Sequence, residues 1–172
     1  KVLFFSVSQF LGASIGSFAT LNLYAAPILA FEKRTGVIRS TATGHKSAAI
    51  VALFYPSPNL QLAVPGYPSI LTATMMEIIG TGLLAFVAFS LGHGKNKIQD
   101  SSGSKPIIIG FTVGTIATIF GPITMAGLNP ARDLGPRLVC LLSGWGSAVF
   151  PKGGFLGSIV VYTIGPIIGA IF

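Results

Sequence analysis

Few residues in this chain carry a charge, and three of them crowd into one stretch. Residues 127–138 read GLNPARDLGPRL and hold Arg132, Asp133 and Arg137. Residues 106–131, just before that cluster, carry no charge. Asn129 is a good helix N-cap, and Pro130 suits the first helical position because its missing N–H would be unpaired there anyway. A helix begun at Pro130 runs to about Leu142, ahead of Ser143-Gly144. At about 1.5 Å per residue it reaches only about 20 Å, short of a bilayer core about 30 Å thick. The spacing therefore predicts a half-helix that enters a membrane and stops partway.

That geometry dictates a kind of chemistry. Residues 124–128 must be irregular backbone, which survives at membrane depth only if buried in protein or lining a wet cavity. The carbonyls of that segment, Gly127 and Leu128 included, then form a ladder of acceptors for a permeating hydroxyl. The half-helix N-terminus carries roughly half a positive charge, and Arg132 in its first turn adds a full one. An arginine joined to a half-helix dipole excludes protons and cations while neutral molecules pass. Asn129 has two expected roles: its carbonyl caps the helix, and its amide N–H₂ donates to the permeant. Glu77, a carboxylate inside an apolar run, is functional by default. Its expected work is to accept hydrogen bonds from the N–H groups of the irregular segment. A proton relay is the sharper alternative, weakened by the lack of a second acid in the spans.

Other chemistries find little support. No nucleophile–base pair or metal-ligand cluster appears in the spans, so neither an enzyme nor a cofactor is expected. His45 and His93 fall in separate polar segments and read as solvated loop residues. Cys140 stands alone and allows no internal disulfide. The basic residues form short clusters flanking apolar runs, which is what membrane topology requires, and no long patch that reads phosphates is present. Nucleic acid is thus not an expected partner. A secondary transporter is the better competitor, because transporters also use broken helices at the midplane.

The elements that must hold these residues are membrane helices. Only 9% of residues are charged and 51% are hydrophobic, against about 25% charged in soluble domains. A span needs about 20 mainly apolar residues. Residues 2–31, 69–92, 106–123 and 153–172 qualify, the third ending at Gly121-Pro122 and the fourth kinked at Gly165-Pro166. Residues 32–68 form a long connector. Its apolar middle, residues 48–53, predicts a brief surface helix, and the prolines at 56, 58, 65 and 68 break any further one. Residues 92–105 form a shorter loop, where Ser101, Ser102 and Ser104 beside Lys105 read as solvated in preference to regulatory. The connector has Lys33, Arg34, Arg39 and Lys46, and the short loop has Lys95, Lys97 and Lys105, so charge alone does not orient the chain. Gly12 with Gly16, and Gly165 with Gly169, are spaced for close helix packing. The chain opens at Lys1 and stops at Phe172 inside apolar runs, and reads as a piece of a longer protein.

Asn129-Pro130-Ala131-Arg132 resembles the second Asn-Pro-Ala motif of the major intrinsic protein family, the aquaporins and aquaglyceroporins. Gly121-Pro122, Gly135-Pro136, Gly144-Trp145-Gly146 and Gly165-Pro166 extend the resemblance, as do Gln9 and Glu77. It covers the whole chain. It implies an all-α multi-pass membrane protein: a right-handed bundle of six helices with two inverted repeats, each donating a re-entrant half-helix. Residues 1–172 would be a partial channel domain holding spans 3 to 6, without the first two spans and the first half-helix. The resemblance also implies a homotetramer in the bilayer. It places the connector outside the cell and the short loop in the cytoplasm, in the plasma membrane or an internal one.

Within the family, Asp133 after the arginine resembles the aquaglyceroporin branch, as does Arg137 after Gly-Pro. Both are expected to brace the half-helix and shape a wide mouth. The resemblance assigns the selectivity constriction to Arg132, Ala126 and Ala117, with a fourth residue from the absent half. Glycerol-conducting members often have a large aromatic at the Ala126 position, and water-selective members a histidine at the Ala117 position. Two alanines imply a wide constriction. Tyr162 and Thr163 depart from the usual glycerol pattern and lean toward the water branch. The expected function is a passive channel for glycerol and water. The alternatives are a mainly water-selective channel and one for urea, peroxide or metalloid hydroxide. Mercurials often block family members at a cysteine in the Ala126 position. With alanine there and Cys140 deep along the half-helix, weak mercurial sensitivity is expected.

Overall fold

The computed structural model describes residues 1–58, 66–94 and 103–171. Pro65, Lys95, Lys97, Ser101, Ser102 and Phe172 lie outside them. Among the described residues the regular elements are all helices, without a strand. Four of the helical stretches are long and apolar enough to cross a membrane.

α1 (Val2–Leu23) and α2 (Ala25–Thr35) occupy the first apolar run. The single span expected over residues 2–31 is therefore divided. Pro27, three residues into α2, has no N–H to return to the carbonyl of Leu23, so the helix opens there. Tyr24 sits at the junction with φ −100° and ψ 15°. α2 then runs on through Glu32, Lys33 and Arg34 to Gly36, whose φ of 68° ends it. Within α1 the hydroxyls of Ser6, Ser8, Ser14, Ser17 and Thr20 each bond to the carbonyl one turn back. That satisfies them where lipid offers no partner.

α4 (Ile70–Gly92) is capped by Ser69, whose hydroxyl accepts the Thr72 N–H at 3.0 Å. α5 (Ser104–Thr124) runs one residue past the end expected at about Ile123, just after Gly121-Pro122. It ends at Met125, which takes a left-handed conformation with φ 61°. A proline interrupts hydrogen bonding toward its N-terminal side, so it permits the two further residues that follow Pro122.

The last span is broken, as Gly165-Pro166 predicts. α7 (Gly154–Ile159) passes into a wide π-type turn over Val160–Ile164 and then into α8 (Gly165–Ile171). The wide turn absorbs the bond that Pro166 cannot make. Gly165 and Gly169 let α8 lie against α4. A Cβ on Gly169 would fall 2.2 Å from the Ile78 carbonyl oxygen, and one on Gly165 would fall 3.3 Å from that of Thr74. Gly12 and Gly16 do not pack in this way, for neither has a heavy atom within 4 Å of a Cβ position. The close approach to α1 is made instead by Gly135, whose Cβ would meet the Phe10 carbonyl and the Ser14 N–H at 3.0 Å.

The connector departs most from expectation. Its short helix, α3 (His45–Ala48), starts earlier than predicted. The apolar stretch after it is no surface element: Ala48, Ala52, Leu53, Phe54 and Tyr55 are buried. Ala48, Ala52 and Phe54 pack with Cys140, Trp145 and Val149. The connector thus folds inward onto the half-helix region, because burial of its apolar side chains outweighs the polar segment that precedes them.

Candidate functional site: the broken helix and its groove

α6 (Pro130–Cys140) is the half-helix. It continues to Leu142 and ends where Ser143 (φ −96°, ψ 19°) and Gly144 (φ 96°, ψ 4°) leave helical geometry. Asn129 is extended, and its Oδ1 accepts the Ala131 N–H at 2.9 Å. Its Nδ2 donates to Gln9 Oε1 at 3.0 Å. An amide nitrogen has two hydrogens, so the second is free to serve another acceptor.

Immediately upstream, Met125, Ala126 and Leu128 have φ of 61°, 47° and 58°. Left-handed geometry in a residue other than glycine costs about 1–3 kcal/mol, so surrounding bonds must hold the segment. Glu77 Oε1 accepts the Gly127 N–H at 2.9 Å, and Oε2 accepts that of Leu128 at 2.7 Å. The Ala126 N–H goes to Thr124 Oγ1 at 3.3 Å. Tyr162 donates its hydroxyl to the Thr124 carbonyl at 2.8 Å. The donors are thereby taken into the protein. Among the described residues, no donor reaches the carbonyls of residues 125–128.

A groove of about 430 Å³ runs past this segment. It brings together Ala117, Ala126, Gly127, Leu128, Asn129 and Arg132, and Pro130 also lines it. Ala131 is not there. With Gln9 it lines a second groove along α1, and Asn129 and Arg132 border both. Arg132 is exposed, and its guanidinium makes no hydrogen bond or salt bridge to the described residues, while its backbone N–H donates to the Asn129 carbonyl at 3.1 Å. Tyr162 is fully buried behind the irregular segment and does not line either groove.

Asp133 and Arg137, one turn apart, are both buried. Arg137 Nε donates to Asp133 Oδ2 at 3.1 Å, and Nη2 donates to Oδ1. The same guanidinium donates to the Leu53 carbonyl at 2.9 Å and to the Val149 carbonyl. The rings of Phe54, Phe150 and Tyr162 surround it, each centroid 5.9 Å away. Tyr55 donates to the Lys152 carbonyl, and burial lifts its phenol above the ordinary value, opposed by the Arg137 charge. Sequence reasoning named Tyr162 and Thr124 but missed their roles in bracing the irregular segment, and it missed these carbonyl partners. A lone hydroxylated aromatic in an apolar span was the one available signal.

Groups of three or more metal-binding side chains are absent among the described residues. The model of the family described as major intrinsic protein matches residues 1–172. The chain belongs to the major intrinsic protein family. It is thus an all-α, multi-pass membrane protein of a family of passive channels, not enzymes. Human Aquaporin-9 is 32% identical over 172 residues, covering 99% of this chain and 53% of that protein. The Glycerol uptake facilitator protein of Pseudomonas aeruginosa is 30% identical, with 99% and 57% covered. The Propanediol uptake facilitator PduF of Salmonella typhimurium is 30% identical, with 99% and 61% covered. The chain therefore spans somewhat over half the length of these relatives.

Proposed function

We propose that the protein conducts glycerol and water passively and excludes protons and ions. The groove carries this reading. It is walled by two alanines, Ala117 and Ala126, where a bulkier pair would narrow it, and it has Arg132 and Asn129 at its polar edge. Unpaired carbonyls offer a polyol successive acceptors, while Arg132 and the half-helix N-terminus repel cations. The names of the glycerol and propanediol facilitators among its relatives point the same way. Tyr162, whose type leans toward water-selective members, stands outside the groove and does not narrow it.

In this reading the chain supplies spans 3 to 6 and the second half-helix, and the wall opposite the groove comes from the rest of the protein. Asp133 and Arg137 brace the half-helix, Gln9 orients Asn129, and Glu77 holds the strained segment. A homotetramer in the plasma membrane, with the connector outside, completes the proposal.

The test is the full-length protein in liposomes, followed by stopped-flow light scattering after a glycerol jump, with Arg132→Ala alongside. Shrinkage followed by fast re-swelling supports glycerol entry. Fast shrinkage without re-swelling makes the protein a water channel. Arg132→Ala should raise proton leak; an unchanged leak removes Arg132 from the barrier.

A further inference from the structure

The half-helix is held at both ends, and the contacts at its far end are not explained by the groove. Its first turn is fixed by Asn129, Gln9 and the segment on Glu77. Its last turn ends at Ser143 and Gly144, where the connector reaches it. Arg39 Nε donates to Glu32 at 2.8 Å to Oε1 and 3.1 Å to Oε2. The Arg39 guanidinium lies over the Trp145 ring, 4.1 Å from its centroid. Its Nη1 reaches the Ser143 carbonyl at 3.5 Å. Trp145 in turn donates its indole N–H to Ser47 Oγ at 2.9 Å, and both residues are buried.

Several physical terms converge there. A cation at a helix C-terminus is favoured by the dipole, and Ser143 bears one of its last carbonyls. A planar guanidinium both stacks on an indole and pairs with a carboxylate, which a lysine ammonium cannot do together. Glu32 is itself buried and is placed by α2, a continuation of the first span. A chain of contacts therefore runs from that span through Glu32 and Arg39 to the end of the half-helix.

We propose that Arg39 is a positioning residue: by joining Glu32, Trp145 and the Ser143 carbonyl, it sets the depth of the half-helix and so the place where Arg132 borders the groove. The inference rests on the channel reading above. Rigid helix transmits the constraint, since a shift at Ser143 moves Arg132 along the same axis. The connector becomes a latch on selectivity without touching the permeant.

The test compares Arg39→Met, Arg39→Lys and Glu32→Gln with the unaltered full-length protein. Water and glycerol permeability and proton leak are each normalised to folded protein in the liposomes. A positioning role predicts that Arg39→Met changes the glycerol-to-water permeability ratio, or raises the proton leak, by about threefold or more. Arg39→Lys should restore only part of that change, because charge returns without the stack. If Arg39→Met leaves both readouts within experimental error while the unaltered protein conducts, the latch is wrong. A purely structural role would lower the amount of folded protein and leave the ratio fixed, which also overturns the proposal. Should Arg39→Met not fold, Glu32→Gln removes the carboxylate charge that holds the Arg39 guanidinium over the ring. It must then move the ratio or the leak, and an unchanged pair of readouts rejects the latch. Failure of the unaltered protein to conduct any neutral solute would instead reject the channel reading. The two failures are therefore separable.

Discussion

Arg137 closes a ring with Asp133 one helical turn before it, and every edge of that ring is buried. The carboxylate takes Nε and Nη2, while Nη2 also donates to the Leu53 carbonyl and Nη1 to that of Val149. The pair thereby ties the half-helix to the connector on one side and to the chain after Trp145 on the other. Removing one partner of a buried pair costs about 3–5 kcal/mol, because the other charge is left uncompensated. Asp133→Asn is accordingly expected to lower the thermal midpoint of the purified protein in detergent by many degrees. The double change Asp133→Leu with Arg137→Met should lose less than the two single losses added. Additive losses would show that the two side chains do not act as a pair.

Glu77 binds the N–H groups of Gly127 and Leu128 with different oxygens. Glutamine has one acceptor oxygen and an N–H₂ group that faces the other donor without bonding to it. An orphaned buried donor costs about 1–3 kcal/mol, and here it would fall beside backbone already in left-handed geometry. Glu77→Gln should therefore reduce solute flux per folded protein with a smaller effect on assembly. Thermal unfolding and liposome flux, measured on the same preparation, check this. Equal flux would mean that the irregular segment holds its shape without the carboxylate.

The half-helix was legible because its signals are local: an Asn cap, a Pro at the first helical position and a Ser-Gly end. The spans were legible because length and hydropathy define them. What escaped was long-range or strained. Nothing in the types of Met125, Ala126 and Leu128 announces positive φ, since tertiary bonds impose it against their preference. The inward fold of the connector depends on Phe54 and Ala52 meeting Cys140 and Trp145, residues far away in sequence. Small-residue spacing marked Gly12–Gly16 and Gly165–Gly169 alike, yet only the second pair meets a neighbouring helix in the described structure.

Gly169 is a sharp test of that contact. An alanine methyl there would sit 2.2 Å from the Ile78 carbonyl oxygen and 3.0 Å from the Gly82 nitrogen, both backbone atoms. Neither atom can swing away as a flexible side chain would, so α4 and α8 must separate. Overpacking of this kind costs about 1–3 kcal/mol. Gly169→Ala should lower the thermal midpoint in detergent, and an unchanged midpoint would mean that the two helices lie further apart.

Cys140 is fully buried against the connector, packed with Ala52, Phe54 and Trp145. A mercurial needs access to a thiolate, and a cysteine in apolar surroundings is inert. Ala126, by contrast, borders the groove, and a thiol there would meet any reagent travelling along it. Flux through the full-length protein should therefore change little when mercury is added, and Cys140→Ser should leave that response unchanged. Ala126→Cys should create strong inhibition that a reducing thiol reverses. Ala126 has a φ of 47°, so cysteine must adopt the geometry that alanine already adopts, and the variant is expected to fold. Inhibition that Cys140→Ser abolishes would place that thiol on the conducting path and contradict its burial. An Ala126→Cys protein that conducts yet resists mercury would take Ala126 out of the pore wall.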